Sequence, residues 1–323
     1  MMQVSESTIP LSALDAADNR FRVSTTADKD DAALNRSIAE VGLLAPPLVR
    51  PGNGQGFQMV TGFRRLAVMR MHGHDAIPCR VLDAGTDDLS CLRMAVADNA
   101  AQRPLNLVEQ ARAVRKLAGF FESSSKLAVA LDALGLPAGA TVAKKLQAVE
   151  TLPALVQDAV AREEIPLAVA VDLARLDDAT AAALGAVFTS LRLGVNKQRE
   201  VFTMVREIGA REKRSMLAVL QSQEIRDILG DPETDRGRKA ARLRETLTKW
   251  RFPTISRTRE AFNTAVREMK LGKNVDLHPP KDFESIHYTL QFRFKCMAEL
   301  EAHKTDVDKI LASESLRRLM DGK

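Results

Sequence analysis

Apolar positions along the chain follow two periods. Over the first hundred residues, short strand-like runs alternate with stretches of helical spacing. Thr8 to Leu14 reads as a short strand. In AALNRSIAEVG, Leu34, Ile38 and Val41 recur at helical spacing; Asp30-Asp31 supplies a start signal and Gly42 a C′ stop. Pro46 to Pro51 reads as a strand, Gly52-Asn53-Gly54-Gln55 as a turn and Gly56 to Val60 as the returning strand of a hairpin. A helix starts just past Gly62 and runs through RRLAVMRMH. Ile77 to Leu82 is a further strand, and Thr86-Asp87-Asp88 caps a helix extending towards Asp98.

From residue 105 to 230 no strand pattern is visible. Ala and Leu dominate, and six to eight helices are expected, broken at Gly135-Leu136-Pro137, Leu152-Pro153, Ile165-Pro166 and Gly194. Beyond a basic stretch, a helix over Arg259 to Leu271 precedes a strand near Asn274 to His278. Pro279-Pro280 turns the chain, His287 to Lys295 alternates like a half-buried strand, and one final helix runs from about Met297 to Met320. The pattern predicts an α+β chain in three parts: a small mixed α/β domain at 1–104, an all-helical middle at 105–235, and a basic helix with a small α/β module at 236–323.

Composition narrows the function. The 323 residues are 45% hydrophobic and 28% charged, an ordinary globular balance. Lys and Arg number 47 against 42 Asp and Glu, a net +5 that fits an anionic partner. Aromatic residues make up only 4%, which argues against a single-strand binder built from stacking platforms. The longest uncharged apolar-rich run, Ala179 to Leu191, has 13 residues and is too short to span a bilayer. The N-terminus has neither a basic n-region nor an apolar h-region, so no signal peptide is expected. Cys79, Cys91 and Cys296 are odd in number and far apart, as expected of reduced thiols in a cytoplasm. His72 and His74 read as a polar turn before a strand rather than a metal pair.

One constellation carries chemistry: Val60-Thr61-Gly62-Phe63-Arg64-Arg65, a strand end, a glycine and two arginines at a helix start. Backbone N–H groups and the positive helix end suit an anion there, Gly62 lets a ligand approach, and guanidinium forks hold phosphate oxygens. Adjacent arginines cannot point the same way from one helix face. The alternative is two solvated arginines.

Ser37 to Leu82 also keeps an ordered set of motifs: a helix ending in Gly-Leu-Leu, a Pro-Pro-Leu-Val-Arg strand, a hairpin, a Gly-x-Arg-Arg helix and a closing Ile-Pro-Cys strand. This resembles the N-terminal, ParB/sulfiredoxin-like domain of ParB-type partition proteins. The run Asp98-Asn99-Ala100-Ala101-Gln102-Arg103-Pro104-Leu105-Asn106 is similar to the family's next motif, a Glu-Asn pair followed by Arg and then Leu-Asn. The resemblance reaches from residue 7 to about 175, roughly half the chain. It implies a clamp that binds CTP with magnesium. Gly62, Arg64 and Arg65 would contact phosphates, Asn99 the nucleotide, and Asp98 would stand for the glutamate near the metal. Gly42 to Pro47 would line the base and phosphate side. Two positions depart: the family's Glu in Gly-Glu-Arg-Arg is Phe63, and its later Arg falls on Gln102, with Arg103 displaced by one. A phenyl ring neither coordinates magnesium nor orients water, so the resemblance implies binding with at most weak CTPase activity, and no catalytic residue is assigned. The reactive cysteine of the sulfiredoxin branch has no counterpart in the turn.

Ser123 to Leu176 resembles the ParB central domain, with a helix-turn-helix made of Lys126 to Leu134, a turn at Gly135 to Ala138 and a recognition helix at Gly139 to Val149. That helix offers Thr141, Lys144, Lys145 and Gln147 to DNA. The turn is one residue longer than the family's and contains Pro137; the alternative is a helical hairpin without base readout. From Arg236 to Arg259, nine basic residues stand against Glu245 alone, a net +8. Arg238, Lys239 and Arg242 are the candidate phosphate contacts there, the alternative being a solvated face over Ala240, Leu243 and Leu247.

The resulting expectation is a cytoplasmic, nucleoid-associated protein that binds double-stranded DNA in plasmid or chromosome partition. By family analogy it forms a homodimer, works with a partition ATPase, uses CTP with Mg as a switch and has no membrane partner. The competing readings are a transcriptional regulator on the same scaffold and a metal-dependent nuclease. For the nuclease, Asp83, Asp87, Asp88 and Asp98 are the available carboxylates, in no recognised motif.

Overall fold

The computed structural model describes residues 4–15, 17–25, 32–52, 56–283 and 287–320. The chain divides into two compact units, residues 1–198 and 199–323.

The first unit opens with β1 (Val4–Pro10), a 3-10 turn at Leu11–Ala13 and β2 (Leu14–Asp15). It continues through α1 (Ala32–Val41), β3 (Leu48–Pro51), β4 (Phe57–Met59), α2 (Phe63–Met71), β5 (Ala76–Leu82) and α3 (Asp88–Gln102). The five strands form one mixed sheet in the order β1-β5-β3-β4-β2. β1 runs antiparallel to β5 from Val4 opposite Leu82 to Pro10 opposite Ala76. β3 is parallel to β5 and antiparallel to β4, which places Val49 opposite Met59 in the expected hairpin. Asn53 to Gln55 of its turn, and the Asp30-Asp31 start signal of α1, lie outside the described residues.

Inward-facing Ile9, Val49, Met59, Ile77 and Cys79 meet Ile38 of α1 and Leu66 and Met69 of α2 in one apolar cluster. The strand expected at Thr8–Leu14 is corrected: it starts earlier, ends at Pro10 and gives way to the 3-10 turn. In β1 only Ile9 is buried, because this edge strand pairs on one side alone, so its polar residues carry no apolar alternation to read. α3 begins as expected, with the Asp87 carboxylate accepting the Ser90 N–H at 2.9 Å. It then runs on to Gln102, and Arg103 leaves the helix with extended backbone before Pro104.

Residues 105–230 hold nine helices, where six to eight were expected. They are α4 (Leu107–Ala118), α5 (Ser124–Asp132), α6 (Ala140–Val149), α7 (Ala154–Ala161), α8 (Leu167–Leu173), α9 (Asp178–Ser190), α10 (Val195–Glu212), α11 (Met216–Leu220) and α12 (Gln223–Gly230). The Gly and Pro breaks fall where the sequence puts them. The extra breaks come from serines, which start helices without disturbing the apolar spacing: Ser215 caps α11 by accepting the Ala218 N–H, and Ser222 precedes α12.

The second unit continues with α13 (Arg236–Arg251), α14 (Pro253–Met269), β6 (Val275–His278), β7 (Thr289–Phe292), α15 (Met297–Ala302), α16 (Lys304–Ala312) and α17 (Glu314–Met320). β6 and β7 form an antiparallel pair, and Phe262, Met269 and Leu316 anchor the small core beside it. Three expectations are corrected here. The helix before β6 starts at Pro253, not Arg259, with proline in its first turn. The alternating segment forms a strand only over Thr289–Phe292. The single final helix is three: the chain turns extended at Ser313, whose hydroxyl accepts the Leu316 N–H and restarts the helix. No helix among the described residues is long and apolar enough to cross a membrane.

Candidate anion-binding cleft

The cleft begins where β4 leaves the sheet. Both the Val60 and Thr61 N–H groups donate to the Leu48 carbonyl, at 2.9 and 3.0 Å, which pulls the chain into a sharp turn. Gly62 completes that turn at φ +88°, the N-cap of α2. A Cβ there would sit 2.9 Å from the Cα and Cβ of Pro47, so geometry and space both require glycine. No side chain caps α2, and its opening N–H groups form the positive end of the helix.

The resulting cleft has a volume of about 170 Å³. Gly62, Phe63, Arg64 and Arg65 form one wall, and Asp98, Asn99 and Gln102 of α3 form the other. Ser24 and Leu34 close it. The sequence had brought together Gly62, Arg64, Arg65, Asp98 and Asn99, and the structure places all five here. Ser24 and Leu34 were missed. Ser24 belongs to an extended segment with no periodic signal. It is held in place because Arg112 of α4 donates to the Ser24 carbonyl at 2.7 Å and Lys116 to the Asn19 and Arg20 carbonyls.

Arg65 is the most constrained cation of the site, its side chain only 13% exposed. Nη1 donates to the Ala45 carbonyl at 2.5 Å and the Pro46 carbonyl at 3.5 Å, and Nη2 donates to Asp98 Oδ2 at 3.2 Å. Burial pulls the Arg65 pKa below the ordinary guanidinium value, Asp98 pushes it back up and neighbouring Arg64 lowers it. Asn99 donates its side-chain N–H to the Ala95 carbonyl of its own helix at 2.8 Å. The Phe63 ring packs against the sheet cluster, with the Arg22 guanidinium 5.6 Å above its centroid.

Two expected contacts lie elsewhere. Arg103 turns away from the cleft and forks onto Glu109, with both oxygens at 2.7 Å. Gln102 takes the lining position instead. The Arg103 shift follows from its place after the helix end, where the extended backbone swings it towards the α4 N-terminus. Glu109, 0% exposed, also accepts the Thr25 and Asn106 N–H groups and completes a capping box with Asn106. Gly42 sits at φ +78° just past α1 and is not part of the cleft lining; Ala45 and Pro46 represent that loop by their carbonyls.

The donor set does not fit a protein-held divalent cation. Asp98 is the one carboxylate among the described lining residues and Arg65 occupies it, while Phe63 offers no oxygen. Among the described residues, no three His, Cys, Asp or Glu side chains form a metal-holding group. The arrangement suits an anion.

A second candidate surface lies on α6. Ala143, Leu146 and Val149 are buried, Thr141, Lys144 and Lys145 are exposed, and Gln147 is half-buried. The basic stretch of the second unit is far less naked than its sequence. Arg238 pairs with Asp235 at 3.3 Å and Arg242 with Asp231 at 3.3 Å; Lys239 donates to the Leu229 carbonyl. Arg244 pairs with Glu200, Lys249 with Glu245, and Arg251 with Glu207.

A mixed sheet with an uncapped, arginine-led helix facing α3 across the cleft forms the domain at the start of the chain. Residues 2–100 match the ParB N-terminal domain. The chain carries this domain in its first third. It is 30% identical over 154 residues to a probable chromosome-partitioning protein ParB of Pseudomonas putida, covering 47% of this chain and 51% of that one. It is 40% identical over 81 residues to the chromosome-partitioning protein Spo0J of Thermus thermophilus, covering 25% and 29%. The chain thus spans about half or less of these relatives. Among solved structures it is similar to the C-terminally truncated ParB of Caulobacter crescentus complexed to the centromeric parS site. There the identity is 22% and the TM-score 0.33, over 59% of this chain and 96% of that one.

Proposed function

We propose that the chain is a ParB-type DNA-binding protein of plasmid or chromosome partition in which the cleft between α2 and α3 takes a nucleoside triphosphate. The observation that carries this reading is the Gly62 turn with Arg64 and the largely buried Arg65 behind it: backbone amides and guanidinium groups converge on one cleft, as phosphate oxygens require. CTP is the ligand that the family resemblance implies. Turnover is weak or absent, because Phe63 replaces the only carboxylate of that motif, and a phenyl ring neither coordinates magnesium nor orients water. The exposed lysines of α6 engage duplex DNA, which places the protein on the nucleoid. A homodimer and a partition ATPase partner belong to the same reading.

Calorimetry of the full chain with CTP, ATP and GTP tests the pocket. Saturable CTP binding that falls at least tenfold in the Arg64→Ala, Arg65→Ala double variant supports it; unchanged affinity in that variant refutes it. A genome-wide crosslinking map tests the role. One cluster of sites fits partition, whereas dispersed promoter sites would assign the chain to regulation.

A further inference from the structure

We infer that Asp98 is an internal anion that holds the phosphate position on Arg65 and competes with the ligand, rather than a ligand for a metal. This rests on the reading of the cleft as a triphosphate site. Arg65 cannot follow a ligand: its Nη1 is fixed to the Ala45 and Pro46 carbonyls, and its side chain is largely buried. A phosphate oxygen that uses this guanidinium must therefore come to its Nε and Nη2 edge, where Asp98 Oδ2 already lies 3.2 Å from Nη2. Two anions on one edge repel each other, so the phosphate binds more weakly while the carboxylate stays and more tightly once it leaves.

Leaving is open to Asp98. Its side chain is 37% exposed, and among the described residues its hydrogen-bond partner is Arg65. Arg65, by contrast, keeps its two carbonyl contacts when Asp98 swings out, so the guanidinium stays charged and in place. The ligand class follows from this exchange. A monovalent anion gains little over the carboxylate it displaces. A di- or triphosphate brings several oxygens to Nη2, to Arg64 and to the α2 amides together, and so outcompetes one carboxylate. Asp98 thereby sets a threshold for polyphosphates.

The test is the sign of one substitution. Asp98→Asn keeps the shape and leaves an oxygen for Arg65 but removes the competing charge. CTP and inorganic tripolyphosphate are titrated by calorimetry into the full chain in EDTA and again in magnesium. The expected result is about tenfold tighter binding of both probes to the variant, about 1.4 kcal/mol, in either buffer. Asp98→Ala gives the same sign and covers the case in which the Asn variant folds poorly. Weaker or unchanged binding in the folded variants, or loss of a magnesium requirement seen only in the wild type, overturns the competitor role while leaving the cleft a triphosphate site. If neither wild type nor variants bind either probe, the triphosphate reading falls, and this inference with it.

Discussion

At the scale of single residues, the cleft depends on positions whose chemistry the chain cannot exchange. Gly62 combines positive φ with a van der Waals wall at Pro47, so Gly62→Ala carries a backbone cost of about 1–2 kcal/mol before any steric shift. The variant is expected to melt lower and to lose nucleotide binding together, because relief of the clash moves the first turn of α2. A melting curve alongside a CTP titration checks this; full affinity at wild-type stability would show that the turn is not the cradle. Phe63 behaves differently. Its ring contributes to the sheet core, and Phe63→Glu exchanges that packing and the Arg22 stacking for a carboxylate beside two arginines. A loss of roughly 1–3 kcal/mol is expected from the buried phenyl area, without gain of CTP hydrolysis, since Arg103 remains on Glu109. Phosphate release above the wild-type rate in a malachite-green assay would refute this. Gly62, Arg64 and Arg65 were legible in the sequence because strand, glycine and basic pair stand in one run. Ser24 was not, because an extended segment leaves no residue-type signature, and Ala45 and Pro46 entered only within the Gly42 to Pro47 loop that the resemblance implied.

At the scale of elements, the join between α3 and α4 is the clearest addition the structure makes. The resemblance implies a nucleotide contact for Arg103, displaced by one from the family's Arg, but the end of α3 turns it onto buried Glu109, which also fastens Thr25 and the α4 N-terminus. Burial alone would raise the Glu109 pKa. The Arg103 hydrogen bonds, the Thr25 and Asn106 N–H groups and the Arg103 charge more than offset it, so the carboxyl lies below its ordinary value. Because the folded pKa is depressed, the stabilisation is present above the unfolded value near 4.5 and is lost as pH falls through the lower folded value. Arg103→Ala removes that depression. It is expected to cost about 2–3 kcal/mol at neutral pH, discounted for the partly exposed guanidinium, and to move acid unfolding to higher pH. CTP affinity is expected to change less than twofold, since Arg103 lies outside the cleft. Unfolding monitored from pH 7 to 3 and calorimetry separate the two effects; a large affinity loss at unchanged stability would return Arg103 to the site. The helix count failed for a related reason. Serine caps end and restart helices without breaking apolar spacing, so Ser215 and Ser313 divide what the periodicity joins.

At the scale of the whole molecule, the question is which cations reach DNA. Net charge is only +5, and the +8 stretch that dominates the sequence is matched by carboxylates that folding brings to it: Asp231, Asp235, Glu200 and Glu207. Linear sequence could not show this, since Glu200 and Glu207 lie more than thirty positions before their partners. An arginine already paired with a carboxylate gains little by meeting a phosphate, because one ion pair replaces another and few counterions leave. Lys144 and Lys145 are exposed on the outer face of α6, and a phosphate met there displaces condensed cations from the duplex. Each such contact adds about 0.9 to the slope of log affinity against log salt. Lys144→Ala with Lys145→Ala is therefore expected to lower the slope by about 1.8 and to weaken binding most at low salt. Arg238→Ala with Arg242→Ala is expected to change it by less than about 1, although the stretch carries more charge. Fluorescence anisotropy with a labelled duplex between 50 and 200 mM salt, a span over which such slopes are resolved, compares both double variants with the wild type. The reverse ranking would mean that Asp231 and Asp235 release their arginines on contact with DNA, and would move the interface from α6 to α13.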